Sequence, residues 1–197
     1  APLFSPDGLQ ISFVRDNNIF IVKLLYDNAE VQITKDGKRN EVINGIPDWV
    51  YEEEFSLARS MVFTADSKQL VWVRYDEKNV KEFSMPMFKG LNPEHQEYAD
   101  YPSSYTYKYP IAGEQNSACT VWSFDISSRQ TRQLQLPLDA NDYIPRLLPT
   151  SQAQQVAVYT LNRHQDCLRI FMCNPLSTVC KQVIEEKVDK YVREEAM

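Results

Sequence analysis

The sequence predicts an all-β fold, a partial β-propeller of about three four-stranded antiparallel blades. Three observations lead there. A strand–turn–strand pattern occurs three times, at 5–15, 64–74 and 150–160, and an internal repeat has to be read before any single element. The first and third copies are each followed by two more strand-like runs, which makes four strands to a unit. Gly is scarce at 5 residues while Tyr (11), Phe (9) and Pro (11) are plentiful, a mix that favours strands with irregular connections over helices.

Each element follows in order. In the first copy, Ser5-Pro6-Asp7-Gly8 makes a tight polar turn, a Gln follows at Gln10, and an alternating strand begins. Strands at 18–24 and 30–34, with Asp16-Asn17-Asn18 as a turn, complete a first blade at roughly 1–45. An acidic segment at 46–56 separates it from a second blade at 57–136. There Met61-Val62-Phe63 precedes the turn at Thr64-Ala65-Asp66-Ser67, and a long arm insertion, 79–116, precedes the resumed strand Ala118 to Phe124. The third blade, 142–185, has strands at 143–148, 156–160, 168–173 and 179–184, and the tail 185–197 is expected to lead into a next blade. A stacked sandwich is the competing reading, but it does not predict the repeated turn. Propellers close with about four to eight blades, so three blades do not close a ring.

The bulk properties exclude several classes of function. The net charge is −6, and no basic stripe is available to meet nucleic-acid phosphates. No run of about 18 apolar residues is present to span a membrane as a helix. The opening Ala1-Pro2-Leu3-Phe4 reads like the middle of a folded region, so any targeting signal is expected outside this sequence. Among the cysteines Cys119, Cys167, Cys173 and Cys180 there is no CxxC, and His95 and His164 lie far from a metal-finger pattern. No metal and no cofactor is expected, and both histidines read as surface residues. Cys173 and Cys180 flank the turn-forming segment Asn174-Pro175 and could face each other across a hairpin as a disulfide; two free thiols in a β-core is the other reading. A disulfide would imply an oxidising compartment. Arg74, Tyr75 and Asp76 read as the surface of a strand edge.

The densest chemistry lies in Asp48-Trp49-Val50-Tyr51-Glu52-Glu53-Glu54-Phe55. Three consecutive carboxylates beside aromatic side chains imply that part of the run is tucked against apolar surface. A carboxylate there needs a cationic partner or neutralises. Neighbouring residues on a strand point to opposite faces, so adjacent glutamates can meet one ligand only from a helical turn or an irregular loop. Pro47 followed by Asp48 can open such a turn, with Asp48 as its N-cap. Glu52 and Tyr51 then read as structural support, and Arg59 as a partner that holds one carboxylate in place. A solvated acidic turn is the bland alternative.

The run from Asn44 to Phe55 resembles the signature of the dipeptidyl peptidase IV propeller. Ser5 to Gly8, Asp16 to Phe20, Glu82 to Pro86 and Tyr109 to Glu114 match in the same order along nearly the whole sequence. Ile111 stands where the family has Lys, and the details are closer to bacterial members. The resemblance implies an eight-bladed propeller covering an α/β-hydrolase domain, in a serine exopeptidase that releases N-terminal X-Pro or X-Ala dipeptides. It assigns Glu53 and Glu54 to the substrate's free α-amine. It implies peptide substrates with a free N-terminus, contact with the enzyme's own catalytic domain, and a homodimer formed through the arm at 79–108. It also implies a periplasmic, secreted or cell-envelope location. No Gly-x-Ser-x-Gly elbow occurs in these 197 residues, so no catalytic residue is expected here. A propeller used only for protein binding, or a related tripeptidyl or acylaminoacyl peptidase, are the alternative functions.

Overall fold

The structure is a computed structural model that describes residues 2–89 and 100–193. The first sheet joins β1 (Leu3–Phe4), β2 (Gln10–Arg15), β3 (Asn18–Lys23) and β4 (Ala29–Gln32) in sequence order, all antiparallel. The second contains β5 (Val42–Asn44), then, after helix α1 (Trp49–Glu53), β6 (Met61–Phe63) and β7 (Gln69–Asp76). A separate two-stranded hairpin follows, β8 (Glu82–Met87) with β9 (Ser103–Lys108). The second sheet is completed by β10 (Ala118–Asp125) and β11 (Thr131–Gln133). The third joins β12 (Tyr143–Pro149), β13 (Val156–Leu161), β14 (Cys167–Cys173) and β15 (Cys180–Lys187), again in order. Three successive antiparallel units of this kind form a partial β-propeller.

The repeat has a hydrogen-bond cause. Ser5 Oγ accepts the Gln10 amide at 3.0 Å and donates to Asp7 at 2.5 Å. Thr64 Oγ1 does the same with the Gln69 amide at 3.1 Å and Asp66 at 2.7 Å. In the third unit Thr150 Oγ1 donates to the Gln155 carbonyl at 3.1 Å. A hydroxyl closes each turn, so the hydroxyl residue recurs. Adjacent turns are also tied together, Asp7 N–H to Ser67 Oγ at 3.0 Å.

Two cores lie between the units. Along β7 the side chains alternate: Leu70 and Trp72 join Ile19, Ile21 and Met61 against the first unit, while Val71, Val73 and Tyr75 join Ile144, Val158 and Leu168 against the third. Tyr75 is therefore fully buried, contrary to its reading as surface. Arg74 and Asp76 do pair at 3.3 Å, and Arg74 meets Asp36 at 2.7 Å.

The boundary at residue 45 is corrected by the pairing. Val42–Asn44 lies opposite Arg74 to Asp76, so it belongs to the second sheet. β6 lies opposite Leu70 to Trp72 on the same side of β7. The first strand of the second unit is thus split, and the acidic segment is an excursion from inside it rather than a linker between blades. Its base is pinched. Gly45 N–H donates to the Val73 carbonyl (3.1 Å), Ser60 N–H to the Gly45 carbonyl (2.9 Å), and Val73 N–H to the Ser60 carbonyl (2.9 Å). Gly45 has φ of +76°, and a Cβ there would lie 2.9 Å from Ile19 Cδ1, so the pinch requires glycine.

Candidate functional site

Within the excursion the chain forms one short helix, the first of the two local conformations expected of this segment. Asp48 is its N-cap, with extended backbone and Oδ1 accepting the Tyr51 amide at 3.0 Å. Its other oxygen, Oδ2, accepts Ser117 Oγ at 2.5 Å. Asp48 is buried, and burial raises its pKa against the lowering effect of these bonds. The helix ends at Glu54, whose amide donates to the Val50 carbonyl at 2.8 Å. Ser56 then takes φ of 54° and turns the chain, and Leu57 N–H returns to the Tyr51 carbonyl at 3.1 Å.

The anchoring face is Val50, Tyr51 and Phe55, all in the core between the second and third units. Tyr51 is 1% exposed. Its ring meets Tyr75, Phe55 and Tyr143 at centroid distances of 4.8, 5.4 and 6.2 Å, contacts worth about 0.5–1.5 kcal/mol each beyond their burial. Its hydroxyl accepts the Ile144 amide at 3.0 Å and lies 3.2 Å from Cys119 Sγ. Burial raises the phenol's pKa well above its ordinary value, so it remains a neutral hydrogen-bonding group. Tyr51 anchors the turn in the core.

Glu52, Glu53 and Glu54 all face solvent. This corrects the expectation that part of the run is tucked into apolar surface. Three successive residues of a helical turn span most of its circumference, yet the buried arc is taken by Val50, Tyr51 and Phe55. The buried carboxylate at this place is Asp48, answered by a hydroxyl and an amide instead of a cation. Among the described residues, Glu53 and Glu54 make no side-chain hydrogen bond or ion pair. Glu54 lines a cavity of about 570 Å³ with Trp49, Tyr109, Asn116, Tyr143 and Arg163; Glu53 does not line it.

Arg59 is not the partner of these carboxylates. Past Ser56 the chain has turned back toward Ser60, and Arg59 donates to the Pro2 carbonyl at 3.3 Å, with no ion pair among the described residues. A different arginine reaches the turn: Arg146 Nη1 donates to the Phe55 carbonyl at 3.1 Å. Nothing in the spacing marked Arg146, Ser117 or Ile144, which lie 69 to 93 residues from their partners in the turn. Arg163, across the cavity, donates to the Glu114 carbonyl at 2.9 Å and lies over the Tyr143 ring. Cys173 and Cys180 face each other in the register of β14 and β15 and form a disulfide, while Cys119 and Cys167 are free. His164 is exposed, and His95 lies outside the described residues. No cluster able to hold a metal occurs among the described residues.

Propeller units with an anchored acidic turn rising from a split strand define the chain as part of a β-propeller. The chain belongs to the family described as dipeptidyl peptidase IV (DPP IV) N-terminal region, which it matches over residues 1–197. It resembles the crystal structure of Porphyromonas gingivalis dipeptidyl peptidase 4 with a TM-score of 0.91 and 44% identity, covering 99% of this chain and 26% of that one. The Aspergillus niger dipeptidyl-aminopeptidase B is 31% identical over 193 residues, 94% of this chain and 21% of the relative. A Bacteroides ovatus structure shares the fold at a TM-score of 0.79 and 16% identity. The chain thus spans about a fifth of the length of the curated relatives it matches.

Proposed function

We propose that this chain is the propeller part of a serine exopeptidase that releases N-terminal X-Pro or X-Ala dipeptides, and that it reads the substrate's α-amine through Glu53 and Glu54. The observation that carries this is a contrast within one turn. Asp48, Val50, Tyr51 and Phe55 are buried and fastened, while Glu53 and Glu54 are exposed and, among the described residues, have no partner of their own. Membership of the DPP IV N-terminal family supports the assignment. An ammonium offers three donors, and two carboxylates from consecutive helical positions can take them from different directions. Holding the amine at a fixed place measures off the bond to be cut, so dipeptides leave. An acylated N-terminus lacks the charge and is rejected, because the carboxylates stay unpaired. The propeller also gates access to the cavity it covers. In this reading the cutting residues are supplied by parts of the parent outside these 197 residues, which span about a fifth of the curated relatives' length.

The hairpin of β8 and β9 is proposed as the arm of a homodimer. A periplasmic or otherwise extracytoplasmic location is proposed with it, supported by the Cys173–Cys180 disulfide. The amine reading is tested in the full-length parent by Glu53→Gln and Glu54→Gln. Each is expected to raise KM for an Ala-Pro chromogenic substrate about tenfold or more, the size of a lost hydrogen bond to a charged group. The N-acetylated substrate should be equally poor with every variant. Unchanged KM values in both variants would remove the assignment.

A further inference from the structure

Asn116 and Ser117 are the last two residues before β10, where the long insertion returns to its sheet. Both are buried. Ser117 Oγ donates to Asp48 Oδ2 at 2.5 Å, and Asp48 in turn caps the helix through the Tyr51 amide. Asn116 Nδ2 donates to the Tyr143 hydroxyl at 2.9 Å. The Tyr143 ring packs edge-on against Phe55 at 5.6 Å, and Phe55 directly follows Glu54. One residue therefore reaches the first end of the acidic turn, and its neighbour reaches the second end through one aromatic ring. The insertion touches the turn a third time where Tyr109 packs edge-on against Trp49 at 4.3 Å.

We propose that Asn116 and Ser117 are positioning residues, a two-point clamp that sets where Glu53 and Glu54 stand. The clamp itself is read from hydrogen bonds and ring packing; its consequence for substrate rests on the amine reading given above. Three features make it a clamp and not incidental packing. A helix of five residues is too short to hold itself. The carboxylates contribute no fastening of their own among the described residues. Both clamp bonds are buried, where a polar group that loses its partner is costly. A binding group that is not held in place loses part of its contact with the ligand, so loosening either end reaches the site. The clamp belongs to the insertion that carries the β8–β9 hairpin, which gives the site a mechanical root in that hairpin's return.

The test uses the full-length parent with Asn116→Ala, Ser117→Ala and Ser117→Thr, and Glu54→Gln alongside. Hydrogen exchange is read at the amides of Tyr51, Glu52, Glu54 and Leu57, and steady-state kinetics with an Ala-Pro chromogenic substrate. Both alanine variants are expected to speed exchange at these amides by about tenfold, the scale of one lost buried hydrogen bond. Exchange within β2–β3 and β13–β14 should be unchanged. KM should rise about tenfold, with kcat within about twofold, as for loss of a binding interaction shared by ground and transition states. Ser117→Thr keeps the hydroxyl and should restore both readouts. Unaltered exchange at 51–57 in both alanine variants overturns the clamp. Faster exchange with unchanged KM, while Glu54→Gln raises KM, also overturns it, because the turn would be loosened without moving the carboxylates. If Glu54→Gln leaves KM unchanged, the amine reading has failed and the exchange data alone decide the clamp.

Discussion

Glu77 shows how one residue ties the site to pH. It follows β7 directly and is 6% exposed, with its amide donating to the Glu41 carbonyl at 2.9 Å. Burial first, and then the nearby Asp48 carboxylate, raise its pKa from 4.5 to about 7, against a lowering pull from Lys108. Lys108 itself spends its ammonium on the Val80 carbonyl at 2.8 Å. The fold therefore favours the protonated acid. For an acid raised in this way, the stabilising contribution is complete below the unfolded value near 4.5 and is lost as pH rises through about 7. Glu77→Gln removes that dependence. The expected outcome is a melting temperature for Glu77→Gln that matches wild type near pH 4 and exceeds it above about pH 7. Melting curves of the full-length protein across that range check it; parallel profiles would mean that Glu77 is not held protonated. Asp48 is the same kind of residue in a different role. Its raised pKa has the same sign, but both of its oxygens are occupied, so it acts through the geometry of the turn.

At the scale of elements, what was legible in the sequence was local. The hydroxyl-closed turns at Ser5, Thr64 and Thr150 could be read because donor and acceptor lie within five residues of each other. The helical turn with its Asp48 cap could be read for the same reason. The split of the first strand of the second unit could not, because it is closed by bonds that join Gly45, Ser60 and Val73, which are far apart in sequence. Nor could the exposure of all three glutamates, which depends on Tyr75 and Tyr143 filling the space beneath Tyr51. The hairpin of β14 and β15 joins both kinds of information. Cys173 and Cys180 flank a turn in which Asn174 Oδ1 accepts the Leu176 and Ser177 amides. That turn also docks on the second unit: Ser123 Oγ donates to the Pro175 carbonyl at 2.7 Å, and Gln135 N–H to the Thr178 carbonyl at 2.9 Å. Replacing both cysteines by Ser is expected to lower stability by about 2 kcal/mol, the closure entropy of a short loop. Urea unfolding of the full-length protein measures it. Because the turn also bridges two units, exchange at the Gln135 amide should rise in the same variant; an unaffected amide would confine the disulfide's effect to its own hairpin.

For the molecule as a whole, the question is what covers the β8–β9 hairpin. Its two faces differ. Phe83 and Met85 lie opposite Tyr107 and Tyr105 on one face, while Glu82, Ser84 and Pro86 lie opposite Lys108, Thr106 and Ser104 on the other. Part of the apolar face is met within the chain, by Arg39 over the Tyr105 ring at 4.9 Å and by Phe83 against Tyr109 at 5.6 Å. The remainder is open: Phe83 is 44% exposed, Met85 39% and Tyr105 43%, with Phe88 and Tyr101 more exposed still. A two-stranded hairpin is marginal on its own, and aromatics and Met gathered on one face are the composition of interface cores. A second copy of the same arm would cover this face with the same residues, the self-complementary contact of a two-fold dimer. Met85→Glu with Tyr105→Glu places like charges at the centre of that contact and is expected to shift the full-length protein from dimer to monomer in light scattering. The contact of Trp49 with Tyr109 should persist, because Met85 and Tyr105 reach it only by way of Tyr107. The charged variant should therefore keep its KM for an Ala-Pro substrate when assayed as a monomer. A dimer that persists in the doubly charged variant would show that the arm's apolar face is covered by something other than its symmetry mate.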